Sequence, residues 1–534
     1  MRGCVWLPTV PELSRGRRLL VLLICCSSLF IVGLDSTIVN VALPAIGREL
    51  HGGVSGLQWT IDGYTLVLAS LLMLGGATAD RIGRRRVFLA GLATFTAGSG
   101  LCSLAPGLGW LVAFRMVQAV GGSMLNPVAM SIITNTFPDR SERARALGAW
   151  GGAYAMSMAL GPVIGGVLVD TVGWRGAFWV NIPVGIAAIA LTLRFVPESR
   201  APRPRRPDPA GQALIVMTLA ALTYGIIEGP SHGWSSPLIV GLFVVSAVTF
   251  GALLVWELRR DEPVVDPRFF RSPPFTGAVL TAISAHVALA GFLFLASLYL
   301  QDVLRLSALA AGLHLLPMAA VMGAGAVLSG RIVGRSGARL PMMASGIALC
   351  ASGLLLSRLT QGSGLLSVLL AFCVFGVGSG LVGVPITQAA VSGMPATQAG
   401  VASGIASTSR QVGQSLGVAV FGSILAVGTR GHPGPAGFIA ASREAWLLLA
   451  SCGVVVALLG FVTTGERARR GAARTAEILR PAARRALAEQ AEPGRDAGVL
   501  DLDLDGDVIR GTQRVAGVSD HRVEDERRGD DAER

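Results

Sequence analysis

The sequence predicts an all-α protein that crosses a membrane many times, and its composition and hydropathy pattern carry this prediction. Of its 534 residues, 52% are hydrophobic and only 15% are charged, which is too little charge to cover the surface of a soluble protein. The mean hydropathy of the chain is +0.60. Apolar runs of roughly 20 residues recur from Leu19 to Thr464, and each can cross a hydrocarbon core about 30 Å thick.

The apolar runs divide into fourteen predicted helices. The first run has basic flanks like a signal peptide, but it lacks a clear cleavage site and further spans follow it, so we expect it to be retained. In chain order the predicted helices are 19–43, 57–78, 87–105, 110–134, 146–169, 177–196, 210–228, 237–257, 275–300, 308–330, 340–357, 364–388, 399–427 and 444–464.

The arginines between the helices predict the orientation of the chain. All 45 basic residues are arginine, a bias typical of GC-rich coding. Arginine excess in short loops marks the cytoplasmic side, and the segments "DRIGRRR", "PDRSERARA" and "RAPRPRRP" all fall on the side of the N-terminus. The loops of the other side contain only Arg48, Arg175, Arg305, Arg358, Arg430 and Arg443. We therefore expect both termini to be cytoplasmic, in the plasma (inner) membrane of a bacterium. The dispersed positive charge predicts contact with the lipid bilayer and no nucleic-acid partner.

A repeat between two loops predicts how the helices are grouped. "GATADRIGRRR", from Gly76, aligns without gaps with "GRIVGRSGAR", from Gly330, although Gly334 replaces Asp80. Two six-helix bundles repeated in parallel explain this spacing, with helices 7 and 8 inserted between them. The predicted division is a cytoplasmic tail 1–18, a first bundle 19–196, a linker 197–209, inserted helices 210–257, a cytoplasmic loop 258–274, a second bundle 275–464 and a disordered cytoplasmic tail 465–534.

The C-terminal tail offers two imperfect motifs. "RARRGAARTAEILRPAARR", from Arg467, is either a basic amphipathic segment that rests on anionic lipid or a solvated stretch. "DLDLDGDVIRGT" imitates a calcium loop but has Thr512 where a bidentate glutamate belongs. The cysteines lack metal-ligand spacing. We expect no metal and no cofactor, and a chain that works as a monomer.

Three ionisable residues share one depth layer in the first bundle. At a rise of 1.5 Å per residue, Asp35 lies roughly 12 Å inside helix 1, and Asp62 and Arg115 each lie about 8 Å inside helices 2 and 4. One guanidinium cannot compensate two carboxylates, so one acid is expected to bind a proton, as a coupling site requires. We predict that Asp35 carries the proton with Arg115 as its electrostatic switch. Asp62 is the second candidate, and the alternative is a structural ion pair beside a solvated Asp62.

Other polar residues within the helices are candidates for lining a substrate cavity. The second bundle contains no cluster of acids, which favours a hydrophobic neutral or monocationic substrate over a polycation. His286, as a lone histidine, is equally suited to packing. The candidates are Asn40, Tyr64, Gln118, Asn126, His286, Arg410 and Gln411.

Helix 5 carries a stripe of small residues, Ala153, Ser157, Gly161 and Gly165, spaced by four. Small residues let helix backbones approach closely in lipid, and Pro162 bends the helix. Such a face suits two bundles that rock against each other, although a static helix crossing would use the same stripe.

Five segments resemble the major facilitator superfamily and, within it, the fourteen-helix drug:proton antiporters of the EmrB/QacA type. They are "LDSTIVNVALP", "GATADRIGRRR", "LVAFRMVQAVGGS", "LGPVIGGVL" and "GWRGAFWVNIPVG". Ser157 and Ala119 stand where glycine is usual. The resemblance extends from about Leu19 to Thr464 and leaves the tail outside.

The resemblance implies the major facilitator fold and a proton-coupled exporter of hydrophobic drugs, antibiotics or secondary metabolites, powered by the proton gradient. It also implies gating by the loop after helix 2, which locks against the start of the penultimate helix near Gly400 when the cavity faces outward. The expected gating residues are Asp80, Arg81, Gly83, Arg84 and Arg85 in that loop and Gly161, Pro162, Gly165 and Gly166 in helix 5.

Two other functions remain open at this point. The same fold can export or import one specific small metabolite, and helix 5 argues only against import. A membrane-embedded sensor is the alternative from another class. An enzyme is not expected, because no HExxH motif, Cys/His cluster or phosphate loop occurs in the sequence.

Overall fold

The structure is a computed structural model, and it describes residues 14–201, 208–260, 265–360, 362–430 and 434–490. Its main elements are fifteen helices: α1 Arg15–Glu49, α2 Val54–Ile82, α3 Arg84–Ser103, α4 Leu108–Thr136, α5 Arg140–Val172, α6 Gly176–Phe195, α7 Pro209–His232, α8 Pro237–Arg259, α9 Pro273–Val303, α10 Ala308–Ser336, α11 Arg339–Leu356, α12 Leu365–Val391, α13 Ala396–Gly428, α14 Pro435–Thr463 and α15 Glu466–Gln490. The described ranges contain no β-strand. The predicted all-α membrane fold is confirmed.

Helices α1–α14 correspond one to one with the fourteen predicted spans. Thirteen of them are long and apolar enough to cross a membrane. The exception is α3, which begins with three arginines and carries threonine, serine and glycine along its 20 residues. It packs tightly instead, because a Cβ at Gly98 would lie only 2.6 Å from the Cα of Gln118 in α4.

Capping side chains fix where several helices begin. Asp139 precedes α5, and its carboxylate accepts the N–H groups of Glu142 at 2.8 Å and Ser141 at 3.0 Å. Hydrogen bonds from the Glu142 amide and the Ser141 hydroxyl hold the pKa of Asp139 below its usual range. Ser307 caps α10 in the same way through the N–H of Ala310, at 3.2 Å.

The same helix pairings occur in α1–α6 and in α9–α14, as a parallel repeat requires. In the first half α1 packs on α5, α2 on α4, and α3 on α6; in the second half α9 packs on α13, α10 on α12, and α11 on α14. We call these two groups of helices the first half and the second half. Across the seam between them, α2 meets α13 and α5 meets α10, which are equivalent pairs.

The inserted helices α7 and α8 pair with each other, and α7 contacts both halves. Toward the first half, Glu228 of α7 accepts hydrogen bonds from Trp59 at 2.9 Å and Ser55 at 2.8 Å. Toward the second half, Ser423 of α13 donates to the carbonyl of Ile226 at 2.6 Å. The insertion therefore lies along the α2–α13 seam.

Helix α15 corrects the predicted start of the disordered tail. Residues 466–490 are helical, whereas disorder was predicted from residue 465. Ala468, Ala472 and Leu479 are buried on one face. A Cβ at Gly393, between α12 and α13, would lie 2.8 Å from the Cβ of Ala472. This face packs on protein, so neither of the two alternatives left open by the sequence, contact with lipid or full solvation, describes it. The calcium-like segment 501–512 lies outside the described residues.

Candidate functional site

A buried polar cluster joins four helices of the first half around Asp35 of α1. Arg115 of α4 pairs with the Asp35 carboxylate at 2.5 Å, and both side chains are at most 1% exposed. Gln118 and Asn181 donate to the other carboxylate oxygen at 2.9 and 3.0 Å. Both amides also donate to the hydroxyl of Ser99 in α3, at 2.8 and 2.9 Å. Three donors thus satisfy Asp35, and its negative charge is compensated.

Aromatic rings and a carbonyl complete the surroundings of Arg115. Its guanidinium carbon lies 4.2 Å from the ring centre of Tyr64 and 5.7 Å from that of Phe178. Its Nε donates to the carbonyl of Thr60 at 3.3 Å, and one Nη donates to Gln118 at 2.6 Å. The arginine is therefore held in one orientation from several sides.

Asp62 of α2 is buried but does not join this cluster. It is 0% exposed, so the alternative interpretation, in which Asp62 is solvated at the helix mouth, is wrong. One carboxylate oxygen accepts from Thr65 at 3.0 Å, and the hydroxyl of Ser415 in α13 also interacts with the carboxylate. No cationic side chain of the described residues pairs with it. An acid in this environment lacks the compensation that Asp35 has.

A small cavity lies between the two halves. Its walls combine polar groups of α1 and α2 with apolar groups of α5, α9 and α13. Its volume of about 40 Å³ gives room for a few water molecules and not for a drug-sized molecule. The lining residues are Ser36, Thr37, Val39, Asn40, Ile61, Tyr64, Thr65, Arg115, Tyr154, Met158, Leu289, Ala290, Leu293, Gln414 and Val418.

The predicted cavity residues of the first half separate into three positions. Asn40 and Tyr64 line the cavity. Gln118 does not, because it is fully buried in the Asp35 cluster. Asn126 of α4 is partly buried, and its side-chain oxygen has no partner among the described residues.

The predicted residues of the second half lie outside the enclosed cavity, on α9 and α13. Arg410 donates to the hydroxyls of Ser407 at 2.6 Å and Thr387 at 3.4 Å. His286 shares a hydrogen bond of 2.9 Å with the carbonyl of Ala282 in its own helix. Gln411 is partly exposed. None of the three belongs to the cavity walls given above.

The glycines of α5 face two different neighbours. An added Cβ would lie 2.9 Å from the Cβ of Thr37 at Gly161 and 2.6 Å from Cγ1 of Ile38 at Gly165, and both neighbours belong to α1. These two glycines thus pack within the first half, not between the halves as the stripe suggested. At Gly166 the Cβ would lie 2.5 Å from the Cα of Leu309 in α10, which belongs to the second half.

Pro162 shares the contact of Gly166 with the second half. A Cβ at Gly312 of α10 would lie 2.7 Å from the carbonyl carbon of Pro162. One helical turn beyond Gly166, the carboxylate of Asp170 accepts the N–H groups of Leu309 at 2.9 Å and Ala308 at 3.2 Å. The end of α5 therefore caps the start of α10 across the seam.

Further backbone contacts close the seam at the same end. We call the end where α1 finishes the far end, and the end where α1 begins the tail end. Gln301 and Ser297 of α9 donate to the carbonyls of Val41 at 2.9 Å and Asn40 at 2.6 Å. Gln58 of α2 donates to the carbonyl of Ala419 at 2.8 Å. The two halves are therefore closed toward the far end.

The tail-end loop between α2 and α3 binds its own half. Asp80 pairs with Arg84 at 2.8 Å, and its carbonyl accepts the N–H of Ala201 at 3.1 Å. The N–H of Arg84 donates to the carbonyl of Ser199 at 2.8 Å. No residue of the described ranges approaches Gly400 within 4 Å of an added Cβ. The expected lock against the start of α13 is thus not formed while the far end is closed.

Gly83 and its neighbours shape this loop. Gly83 has φ +130°, a conformation that favours glycine, and an added Cβ would lie 2.6 Å from a carboxylate oxygen of Glu198. That oxygen accepts the N–H of Arg85 at 3.1 Å, while Arg81 is exposed.

Several residues of the site were missed by the sequence analysis. Asn181 begins a helical segment within "WVNIPVG", so its polarity at the depth of Asp35 was a usable signal. The residues that close the far end carried no such signal, because they are ordinary polar side chains near helix ends. These are Gln58, Asp170, Ser297 and Gln301.

Two six-helix halves that enclose a partly polar cavity within the membrane define a transporter. Residues 25–418 match the Major Facilitator Superfamily. The chain belongs to this superfamily. Thirteen apolar helices and bacterial relatives of this kind identify it as a bacterial membrane protein.

Curated relatives carry names that refer to drugs and antibiotics. The chain is 38% identical to the multidrug resistance protein Stp of Mycobacterium tuberculosis over 410 residues, which cover 77% of this chain and 76% of that protein. It is 36% identical to the tetracenomycin C resistance and export protein of Streptomyces glaucescens over 413 residues, 77% of each chain. It is 35% identical to the methylenomycin A resistance protein of Streptomyces coelicolor, with 73% and 82% coverage.

Solved structures share the fold at low identity. A bacterial homologue of the human lysosomal transporter Spinster, in an inward-facing and unoccupied conformation, superposes with a TM-score of 0.61 at 18% identity. The match covers 86% of this chain and 99% of that one.

Proposed function

We propose that this chain is a fourteen-helix drug:proton antiporter of the EmrB/QacA type, which exports hydrophobic drugs, antibiotics or secondary metabolites from a bacterium. The observation that carries the proposal is the cavity between the halves, together with two buried acids, Asp35 of α1 and Asp62 of α2, on helices that form its wall. The drug and antibiotic resistance named in the relatives supports export as the direction. No cofactor is needed, because the proton gradient supplies the energy.

The two acids have different parts in this proposal. Arg115 and two amides bind the carboxylate of Asp35. Asp62 is buried and has no cation beside it among the described residues. The sequence prediction placed the coupling proton on Asp35. We now propose that Asp62 holds the proton in this conformation and that Asp35 accepts one only after its pair with Arg115 opens.

The orientation completes the proposal. With both termini in the cytoplasm of the plasma membrane, the far end is external and the conformation is closed to the outside. Gating then consists of separating the far-end contacts while the loop of Asp80 and Arg84 moves from its own half to the start of α13.

Transport by purified protein in proteoliposomes, with and without an imposed pH gradient, tests this function. Tetracenomycin C is a suitable first probe, because a relative is named for it. We expect Asp62→Asn to abolish gradient-driven accumulation while downhill flux persists. The matched control is Glu444→Gln, which neutralises an exposed acid of α14 and should leave transport unchanged.

Wild-type accumulation by Asp62→Asn would refute the assignment of the proton. Gradient-driven transport of one metabolite, with none of a panel of dyes and antibiotics, would favour the second candidate function, a specific exporter on the same fold.

A further inference from the structure

Arg115 of α4 and Arg410 of α13 both lie within membrane helices, and of these two only Arg115 is neutralised. Arg115 pairs with Asp35. Arg410 of α13 has two hydroxyl partners, Ser407 and Thr387, and no carboxylate pairs with it among the residues described here. An arginine at this depth normally has a counter-ion or faces a water-filled cavity. Its charge therefore remains available to a ligand.

The position of Arg410 connects it to the cavity between the halves. Gln414 lies one helical turn further along α13 and lines that cavity together with Tyr154 of α5. The side chain of Arg410 is only partly buried, although it lies in the middle of a membrane helix. The guanidinium also interacts electrostatically with Tyr154, so it lies beside the cavity wall that Tyr154 and Gln414 form.

The other charges around this space do not neutralise it. Asp35 and Arg115 compensate each other. Asp62 does not line the cavity; it interacts with the hydroxyls of Thr65 and of Ser415 in α13 and forms no ion pair with Arg410. Hydrophobic side chains, among them Met158, Leu289 and Leu293, form much of the remaining wall. A net positive charge beside an apolar wall attracts anions and repels cations.

We propose, building on the exporter function above, that Arg410 binds an acidic group of an otherwise apolar substrate. The chemical class is a largely apolar compound that carries a carboxylate, phenolate or enolate. The planar guanidinium suits a bidentate contact with such oxygens, and the apolar wall accepts the rest of the molecule. This proposal replaces the neutral or monocationic substrate that the sequence favoured.

Two probes of similar shape, one with a negative charge and one without, separate the effect of ligand charge on binding from the effect of ligand shape. Anthraquinone-2-carboxylate and its primary amide differ little in shape, and their binding to purified protein in micelles can be followed by equilibrium dialysis. For Arg410→Gln we expect about a tenfold or greater loss of affinity for the carboxylate, with binding of the amide changed less than about twofold. Arg410→Lys should retain part of the preference, because it keeps the charge and loses the planar fork.

The control is Arg358→Gln, which removes an exposed arginine from the loop between α11 and α12 and should change neither affinity. Equal binding of carboxylate and amide by the wild-type protein would overturn the proposal. So would an unchanged carboxylate affinity in Arg410→Gln, or an equal loss of both probes. If Arg410-dependent binding of the carboxylate is found without transport of any compound, the anion site stands and the exporter function fails.

Discussion

Asp35 has unusually complete polar surroundings for a residue in a membrane helix. Its carboxylate is bound from α4 and α6, and the amides that bind it are held in turn by Ser99 of α3. Each partner is itself buried. Networks of this kind are stable when every member is satisfied and costly when one member is removed.

We predict that Asp35→Asn destabilises the protein, because it leaves the Arg115 charge buried without a counter-ion. Breaking a buried pair in this way costs about 3–5 kcal/mol. The double variant Asp35→Asn/Arg115→Gln should recover part of that loss, since it removes the uncompensated charge. Thermal unfolding in micelles checks this. Equal or greater destabilisation in the double variant would mean that the pair is not the source of the effect.

The sequence predicted how deep each residue lies along its helix, but not toward which neighbouring helix its side chain points. Asp35, Asp62 and Arg115 were assigned to one layer from the helical rise, and the structure does bring Asp35 and Arg115 together. The same reasoning could not tell that Asp62 faces away from Arg115. It also placed Gln118 in the cavity, because a sequence does not reveal which polar side chain is used to bind an acid.

Helix α5 shows how one small-residue motif can form two contacts. Gly161 and Gly165 bring α5 against α1 of the same half, whereas Gly166 and Pro162 meet α10 of the other half. The sequence stripe identified the close packing but not its partner. The orientation of α5 about its own axis decides which glycines contact α1 of the same half and which contact α10 of the other half.

We predict that Gly166→Ala impairs closure of the far end. Its methyl group would press on the α10 backbone at Leu309. Overpacking of this kind costs about 1–3 kcal/mol, so the ratio of closed to open molecules should fall about five- to 150-fold. Labelling of a single cysteine placed at Gln301 would report this, measured in a background from which the native cysteines have been removed. Gly152→Ala is the control, because its Cβ would meet open space in the same helix. Equal labelling of both variants would contradict the prediction.

The elements themselves were largely predictable, since the fourteen spans are set by hydropathy and length. Two departures have physical causes. Helix α3 is less apolar than its neighbours because it is packed against α4 by glycines. Helix α15 buries alanines and a leucine against protein. A polar, arginine-rich sequence does not indicate such a contact.

At the scale of the whole molecule, the alternation of fourteen helices fixes which loops share a side. We predict that a reporter active only outside the cytoplasm will give signal after Gly52, in the α1–α2 loop, and none after Arg206 or Gln490. The physical reason is the excess of arginine in the loops that follow the even-numbered helices. Signal after Arg206 would contradict both the helix count and the orientation.

The closure of the far end also sets an energetic scale for the transport cycle. Four side chains, Gln58, Asp170, Ser297 and Gln301, bond the halves through backbone groups there. These side chains make five such hydrogen bonds of 3.2 Å or less, since Asp170 accepts two, and at about 0.5–1.5 kcal/mol net per bond they hold the closed state by roughly 2.5–7.5 kcal/mol. A proton that crosses 100 mV releases about 2.3 kcal/mol, and each pH unit of gradient adds about 1.4 kcal/mol. One or two protons therefore suffice to open the proposed antiporter, while a de-energised membrane leaves it shut against the return of its substrate.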